Sequence, residues 1–475
     1  MQLFFKINCL DRLIEPIYNC YHSSTHNLEG LPMRSDLSKP VYVQIELTSQ
    51  CNNNCIYCYN FWKYRDERLR ARPTLSTKQW TQVAQTLGKL GIFYVTITGG
   101  EPLLEKEKLF SISRHLQKQG IRLMLNTNGT LVDEATAQGL RDLQFETALV
   151  SLLSSNAETH DKLSHRAGAF HETIKGIEAL LKQGIHVAIN SVATKLNHQG
   201  TFTTGEWLFH NFGIKNFNAT PICPSAHGHQ SLKLSPEEII TTLSQLMRLR
   251  KEYGTNVDIL EVLPTCLFAD NLDEESIAMF SRRMCTAGNT TITIGSMGDV
   301  RACSYDDKIE GNILKDNFAI IWERMKKWRD DTLLPKECHN CKIVGECGGG
   351  CRVNSSDSES AMSRCNMTPL LSKKYLIALS HALKQIPMDQ SFSIRHGIML
   401  RQETSTLYLV TLSPMSFIII DINGLRLLRY LAELPYFTPF EIIDTLNLGK
   451  SRTTMFFNEL FNKGFLQQSG ANQKQ

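Results

Sequence analysis

Near the start of the chain stands the run Glu46-Leu-Thr-Ser-Gln-Cys-Asn-Asn-Asn-Cys-Ile-Tyr-Cys-Tyr59, whose cysteines are spaced Cys-x3-Cys-x2-Cys. Thiolates of Cys51, Cys55 and Cys58 on one short loop can hold three corners of a cubic [4Fe–4S] cluster, because such clusters take thiolate ligands. The fourth iron then has no ligand on the loop and can bind another molecule. Zinc is the competing metal, but a closed structural zinc site uses four ligands, and no histidine lies in or beside the loop.

The run resembles the signature of the radical S-adenosylmethionine (SAM) superfamily. In that family the open iron chelates the amino and carboxylate groups of SAM. One electron from the cluster cleaves SAM to a 5′-deoxyadenosyl radical, which abstracts a hydrogen atom from the substrate. The resemblance implies an oxidoreductase with SAM as cofactor and an external one-electron reductant such as flavodoxin or ferredoxin. It also places Tyr57 of the loop against SAM.

Length and composition limit the class of protein. A chain of 475 residues predicts two to four domains, and 42% hydrophobic with 21% charged residues is typical of a soluble globular protein. A net charge of +4 is small for this length, so we expect neither a nucleic-acid nor a membrane partner. The 14 cysteines, in tight groups, indicate metal binding in a reducing compartment. The sequence shows no signal peptide and no apolar run of about 18 residues, so the expected location is the cytoplasm.

Alternation of β-rich and helical stretches predicts an α/β fold. Strands are expected at 41–47, 93–98, 121–126, 147–152, 185–192 and 216–220, with a helix over 76–90 after the first. About six β/α units imply a parallel sheet. The three cysteines follow the first strand, at the end of the sheet where barrel enzymes place their catalytic groups. The resemblance implies a partial (β/α)6 barrel of the TIM type, which matches this count.

Gly99-Gly100-Glu101-Pro102 follows the second strand. Two glycines let the backbone approach a ligand closely, and the glutamate offers an acceptor for an ammonium group. Taken alone, the motif could be only a tight turn. One strand after the cysteine loop, it resembles the superfamily's motif that binds the amino group of SAM.

Three further residues are assigned to SAM by the same resemblance. Ser151, at the end of the fourth strand, resembles a serine that contacts the SAM ribose, although a surface serine is an open alternative. Asn190 on the fifth strand is a further expected contact. Arg166 is expected to hold the SAM carboxylate, because this chain has Ser164 where relatives often have arginine.

A second set of cysteines follows the barrel. It comprises Cys285, Cys303, Cys338, Cys341, Cys347, Cys351 and Cys365. A zinc ribbon needs four ligands in two pairs, so this set is too large for one ribbon. The spacing resembles the SPASM extension of radical SAM enzymes that modify peptides.

That extension holds two auxiliary clusters, so the resemblance implies three [4Fe–4S] clusters in all. The outer one would be bound by Cys338, Cys341, Cys347 and Cys365, and the inner one by Cys285, Cys303 and Cys351. No further cysteine lies between the first two inner ligands. We therefore expect either an open iron or a fourth ligand from elsewhere, with Cys266 the nearest candidate.

The C-terminal segment predicts a small domain that resembles a winged helix. Strands are expected at 398–401, 407–411 and 417–420, and Asn423-Gly424 is expected to lead into a helix. Thr438 and Glu441 form a capping box for the next helix, and 451–462 is the last. DNA binding is the generic interpretation of this shape. Between 385 and 470, however, seven Lys/Arg balance seven Asp/Glu, whereas DNA readers are usually basic.

The segment is similar to the recognition elements of ribosomal peptide maturases, which bind a leader peptide as an added strand. The predicted organisation is an extension (1–39), a radical SAM barrel (40–265), a SPASM domain (266–370) and a recognition element (390–470). It indicates a maturase that cross-links side chains of a precursor peptide by a carbon–carbon, ether or thioether bond. Within this class, the cyclophane- and darobactin-type cyclases are the group that we favour. Alternatives are an anaerobic sulfatase-type maturase, a non-catalytic iron–sulfur DNA-binding regulator and a zinc scaffold.

Overall fold

A computed structural model describes residues 37–60, 74–222, 230–281, 283–341, 343–353, 378, 384–413 and 416–469. These residues form two compact units, the first lying within Pro32–Ala382 and the second within Leu383–Gln475. Each unit has its own hydrophobic core. In this described part of the chain, no helix is both long and apolar enough to cross a membrane.

The first unit is built on one ten-stranded sheet. Its strands are β1 Tyr42–Glu46, β2 Tyr94–Thr98, β3 Arg122–Thr127, β4 Phe145–Ser151, β5 His186–Ala193, β6 Asn216–Pro221, β7 Asn256–Asp258, β8 Thr291–Ile294, β9 Asp299–Arg301 and β10 Gly311–Asn312. The spatial order is β10-β9-β8-β1-β2-β3-β4-β5-β6-β7, and β1 to β7 are parallel. The six predicted strands are confirmed, each to within two residues at either end.

Strands from the predicted SPASM segment continue the barrel sheet. Strand β8 pairs in parallel with β1, and β9 and β10 follow in antiparallel order. The sequence-based expectation placed the module boundary near residue 265 and did not include this shared sheet. A parallel pairing such as β1–β8 depends on contacts distant in sequence, and local patterning does not reveal them.

Helices cover the sheet between consecutive strands. They are α1 Thr77–Leu90, α2 Lys106–Lys118, α3 Glu134–Asp142, α4 Ala157–Ser164, α5 Ala169–Lys182, α6 Thr201–Phe212 and α7 Pro236–Tyr253. Helix α1 begins at a capping box formed by Ser76 and Gln79 and ends at Gly91, whose φ of 67° is left-handed. Its buried face, which includes Trp80, is the face predicted from the apolar spacing.

The cysteine-rich part of the first unit contains only short elements. They are α8 Glu274–Phe280, α9 Phe318–Arg324, α10 Lys326–Arg329 and α11 Val344–Cys347. Cys347 is the last residue of α11 and Cys338 ends a 3-10 turn, whereas Cys285, Cys303, Cys341 and Cys351 lie in the connections between elements.

The second unit contains a three-stranded antiparallel sheet and three helices. Its elements are β11 Phe392–Ile394, β12 Met399–Gln402, β13 Leu407–Ser413, β14 Ser416–Asp421, α12 Ile422–Glu433, α13 Pro439–Thr445, α14 Lys450–Asn462 and β15 Leu466–Gln468. The sheet order is β12-β13-β14, and β11 pairs with β15. Strands followed by three helices agree with the predicted order, and the capping box of Thr438 and Glu441 is present.

One detail of this unit was predicted wrongly. Asn423 and Gly424 lie inside the first turn of α12 rather than before it. The reason is Asp421, whose carboxylate accepts hydrogen bonds from the Asn423 and Gly424 main-chain N–H groups at 3.0 and 2.8 Å. This cap begins the helix earlier than an Asn-Gly turn would allow.

Candidate iron–sulfur and SAM site

The cysteine loop leaves the carboxyl end of β1 and is held by the end of α4. The Asn54 N–H donates to the Ser164 carbonyl at 3.1 Å, and the Ile56 N–H donates to the Leu163 carbonyl at 3.0 Å. Asn60 is buried and donates through its side chain to the Gly99 carbonyl at 3.1 Å. These contacts fix the part of the loop that contains Cys51, Cys55 and Cys58, and Tyr57 lies half-buried between the last two cysteines.

Gly99 and Gly100 are required by the cysteine loop itself. Gly99 has φ +136°, and a Cβ there would lie 2.4 Å from the Thr48 carbonyl oxygen. A Cβ on Gly100 would lie 1.9 Å from the Gln50 carbonyl oxygen. The sequence predicted close approach to a ligand, whereas the observed close approach is between two segments of main chain. The glycines therefore set the distance between the second strand's loop and the cluster loop.

Glu101 is fully buried and joins three loops. Its carboxylate accepts hydrogen bonds from the Leu103 N–H at 3.1 Å, the Thr127 hydroxyl at 2.8 Å and the Asn128 N–H at 2.8 Å. Burial raises the pKa of Glu101 to about 7, although these three donors oppose the shift. The carboxylate thus has three protein donors, two on Oε1 and one on Oε2, and the contact of Glu101 with the SAM amino group stays a prediction. Pro102 follows as the buried first residue of a 3-10 turn.

Asn128 connects the third strand's loop to the cluster loop, and the sequence interpretation missed this role. Its side-chain NH2 donates to the side-chain oxygen Oδ1 of Asn52 at 2.9 Å and lies 3.9 Å from Cys51 Sγ. Gly129 beside it has φ +78°, the left-handed conformation typical of glycine in a tight turn. Hydrogen bonds to cluster sulfurs tune cluster potentials, so Asn128 is placed to influence a cluster on Cys51. Its position just past a strand end was the available signal.

The remaining predicted SAM contacts fall at the same end of the sheet. Ser151 and Asn190 are register partners on β4 and β5, and both are half-buried. Asn190 accepts a hydrogen bond from the Thr220 hydroxyl at 2.8 Å. Arg166 lies beside the cysteine loop, donating to the Asn53 side chain at 3.4 Å and pairing with Glu172 at 2.6 Å. Ser164 is buried, and its carbonyl accepts the hydrogen bond from the Asn54 N–H of the cysteine loop.

The three cysteines assigned to the inner cluster converge in the first unit. Cys303 and Cys285 are near enough to interact electrostatically, and Cys351 donates to the carboxylate of Glu261, which interacts with both. Burial raises the pKa of Cys303 to about 12, so without a metal this thiol keeps its proton. The Tyr305 N–H donates to Cys303 Sγ at 3.4 Å.

The outer cysteines surround a tight glycine turn. The φ angles of Gly348, Gly349 and Gly350 lie between +69° and +77°, a range that residues other than glycine rarely adopt. A Cβ on Gly349 would lie 3.3 Å from Cys338 Sγ. Cys347 Sγ accepts from the Thr265 N–H at 3.4 Å. Cys341 lies nearby on the same loop, and Cys365 lies outside the described residues.

The donor chemistry fits iron–sulfur clusters at these sites. Cys51, Cys303 and Cys347 each accept a main-chain N–H bond at 3.4 Å, as thiolate ligands of clusters commonly do. Among the described residues, no three Cys, His, Asp or Glu side chains meet at the spacing of a single metal ion. A cubic cluster does not need that spacing, because each thiolate binds a different iron.

A buried ion pair connects the barrel to the cysteine-rich part. Arg301 is fully buried and binds the carboxylate of Glu46, the last residue of β1. Arg301 also donates to the carbonyls of Ser304 and Asp306 at 3.3 and 3.1 Å. The rings of Tyr59 and Tyr305 add an edge-to-face contact with centroids 5.0 Å apart. These contacts hold the two predicted cluster regions in one rigid arrangement.

Comparison with known families identifies two regions of the chain. Residues 45–199 match the model of the family described as "Radical SAM superfamily". Residues 285–342 match the model of SPASM, described as "Iron-sulfur cluster-binding domain". The first region contains the cysteine loop and the Gly99–Pro102 motif, and the second contains Cys285, Cys303, Cys338 and Cys341.

Relatives and solved structures agree with these matches. The chain is 28% identical over 335 residues to the AdoMet-dependent heme synthase of Methanosarcina barkeri, covering 66% of this chain and 92% of that protein. It is 25% identical over 321 residues to the mycofactocin maturase MftC of Mycolicibacterium smegmatis, covering 66% and 79%. The structure of Streptococcus suis SuiB bound to its precursor peptide SuiA matches with a TM-score of 0.54 and 19% identity, covering 70% and 76%.

Proposed function

We propose that this enzyme, which has the radical SAM fold followed by a SPASM domain, matures a ribosomally made precursor peptide. The two domains imply [4Fe–4S] clusters and SAM as cofactors. We propose three clusters, held by the cysteine sets identified above, and a side-chain cross-link as the product. The proposed domain boundaries are 40–265 for the barrel, 266–370 for the SPASM domain and 390–470 for the recognition element.

The observation that carries the proposal is the likeness to peptide-modifying relatives over both domains. MftC is a maturase by name, and SuiB was solved with its precursor peptide. Both likenesses extend over about two thirds of the chain, which is more than the barrel alone. A peptide substrate is therefore the class that these relatives favour.

The second unit is the proposed leader-binding element. It has its own core, which includes Phe392, Leu427, Phe457 and Phe465, so it can present a surface without help from the barrel. Among the described residues, β12 and β14 each have one edge without a neighbouring strand. An extended leader can add to such an edge through main-chain hydrogen bonds. The balanced charge of this unit supports a peptide partner over DNA.

The residues of the first unit have distinct proposed roles. The three loop cysteines hold the SAM cluster, Arg166 binds the SAM carboxylate, and Ser151 with Asn190 contacts the ribose side. When bound, SAM and the clusters would supply the radical that removes one hydrogen atom from the peptide and an acceptor for the surplus electron, with the second hydrogen leaving as a proton. The two side-chain groups that lose hydrogen then share a new bond. Within this class we favour aromatic cross-linking of the cyclophane or darobactin type.

The test uses the anaerobically reconstituted protein with SAM, dithionite and the short precursor encoded by a neighbouring reading frame. Mass spectrometry should show the loss of two hydrogen atoms per cross-link, with one 5′-deoxyadenosine formed for each. The matched control is the protein in which all three loop cysteines are alanine, which should bind the peptide and leave its mass unchanged. An unmodified peptide alongside rapid deoxyadenosine formation would contradict the proposal.

A tetrapyrrole substrate is the second candidate, because the relative at 28% identity is a heme synthase by name. The heme synthase and MftC alignments both cover 66% of this chain, so coverage does not separate the two candidates, but a heme-synthase activity gives the proposed peptide-binding unit no role. An anaerobic sulfatase-type maturase is a further alternative. Deleting the second unit separates the candidates, since only a leader-dependent maturase should lose substrate binding. A non-catalytic regulator is not a candidate, because the chain is an enzyme.

A further inference from the structure

A short segment runs past both auxiliary cysteine groups. The Cys351 N–H donates to the Val262 carbonyl at 3.0 Å, and Pro264 packs against Gly350. Three residues beyond Val262, the Thr265 N–H donates to Cys347 Sγ at 3.4 Å. The segment 261–265 therefore begins beside Cys351, which is assigned to the inner cluster, and ends beside Cys347, which is assigned to the outer cluster.

Glu261 begins this segment and is 2% exposed. Its carboxylate accepts hydrogen bonds from the Cys351 thiol and from Tyr305. Cys285 and Cys303 are both near enough to interact with the same carboxylate. Glu261 is thus an oxygen donor buried among the three inner cysteines, at a site where the sequence supplied only three ligands.

Positively charged side chains lie around the site. Arg283, Arg352 and Arg301 each interact with a member of this group, namely with Glu261, Cys285 and Cys303. Arg301 is fully buried and Arg352 is nearly so. Buried anions need such partners, because isolated charges are costly to remove from water.

We infer that Glu261 is the fourth ligand of the inner auxiliary cluster, with its carboxylate bound to the iron that Cys285, Cys303 and Cys351 leave open. The hydrogen bond from the Cys351 N–H to the Val262 carbonyl holds the neighbouring Glu261 beside the inner cysteines. The inference rests on the proposed presence of the inner cluster.

Cys266 was the candidate expected from the sequence, and the structure favours Glu261 over it. The residue before Cys266 donates to Cys347 Sγ, which places this part of the segment at the outer group. Cys266 is half-buried, whereas Glu261 is enclosed. Glu261 escaped sequence interpretation because it lies far along the chain from every cysteine it approaches.

The test isolates the auxiliary clusters in full-length protein whose loop cysteines are alanine, loaded with ⁵⁷Fe. Mössbauer spectra should then show about one iron in eight with the larger isomer shift of an oxygen-ligated site. Adding Glu261→Gln should remove this component and let ¹³C-cyanide bind the inner cluster, detected as a hyperfine coupling by electron paramagnetic resonance. Glutamine keeps the size and hydrogen bonding of the side chain but is a poor iron ligand. Cys266→Ser is the matched control and should change neither signal.

Three results would overturn the inference. If Glu261→Gln leaves the distinct iron and the resistance to cyanide intact, glutamate is not the ligand even though the cluster is present. If Cys266→Ser removes the distinct iron instead, the cysteine is the ligand. If iron analysis of the loop variant finds only one cluster, about four irons per chain, the three-cluster proposal fails together with this inference.

Discussion

Gly100→Ala should uncouple the second strand's loop from the cluster loop. The added methyl would lie 1.9 Å from the Gln50 carbonyl oxygen, and ordinary contact begins at 3.4 Å, so main chain would have to move by about 1.5 Å. That movement breaks the bonds from the Gly100 N–H to the Thr48 carbonyl, at 2.7 Å, and from the Glu101 N–H to the Gln50 carbonyl, at 2.8 Å.

Each of these two hydrogen bonds contributes about 1 kcal/mol, and the steric overlap costs about 1–3 kcal/mol more. The free energy of unfolding should therefore fall by about 3–5 kcal/mol, measured by urea denaturation under anaerobic conditions. Reconstituted protein should lose about four irons per chain, since the loop that holds one cluster is displaced. Gly200→Ala is the control, because a Cβ at Gly200 meets nothing within 4 Å and its φ is ordinary. Full iron content and normal SAM cleavage in Gly100→Ala would refute the reasoning.

Three further predictions concern SAM binding, the second unit and pH. Arg166→Met should weaken SAM binding about 10- to 100-fold, measured by calorimetry, because a charged hydrogen bond contributes about 1.5–3 kcal/mol. The control is Arg248→Met, which removes an exposed ion pair with Glu252 and should leave SAM affinity unchanged. Equal SAM affinities of the Arg166→Met variant and the unchanged protein would exclude the predicted carboxylate contact. Removing residues 384–475 should abolish leader binding in fluorescence anisotropy but preserve deoxyadenosine formation, and retained binding would locate the leader site elsewhere. Burial raises the pKa of Glu46 to about 7, above its value in the unfolded chain. The folded state therefore holds the proton more tightly, so the stability from Glu46 falls as pH rises toward 7, by up to about 3 kcal/mol. Glu46→Gln should flatten the dependence of the urea midpoint on pH between about 5 and 7, and an unchanged slope would contradict this assignment.

The positions of the cluster cysteines and the barrel strands were predictable because both are local patterns. Spacing within one loop identified the Cys51–Cys58 site, and apolar alternation located six strands. The Gly99–Gly100 pair was also recognised, but its steric partner was not. Which atoms approach a glycine depends on the neighbouring loop, and the sequence of the glycine's own loop does not contain that information.

Contacts between distant residues account for what the sequence did not reveal. Glu46 and Arg301 are 255 positions apart, and neither lies in a motif that requires a buried ion pair. The three donors of Glu101 were not predicted for the same reason, since two of them come from the end of the following strand and its loop. Glu261 carries no sequence signature at all, and only the fold brings it to the inner cysteines.

Cleavage of SAM by the reduced protein is the most direct test of the central claim that one iron of the loop cluster is open to a ligand. The reconstituted, oxygen-free enzyme is reduced with dithionite, given SAM and assayed for 5′-deoxyadenosine by liquid chromatography and mass spectrometry. We predict formation of 5′-deoxyadenosine, and its complete loss when Cys51, Cys55 and Cys58 are alanine. Iron-loaded protein that forms no 5′-deoxyadenosine, or a triple variant that still forms it, would contradict the account.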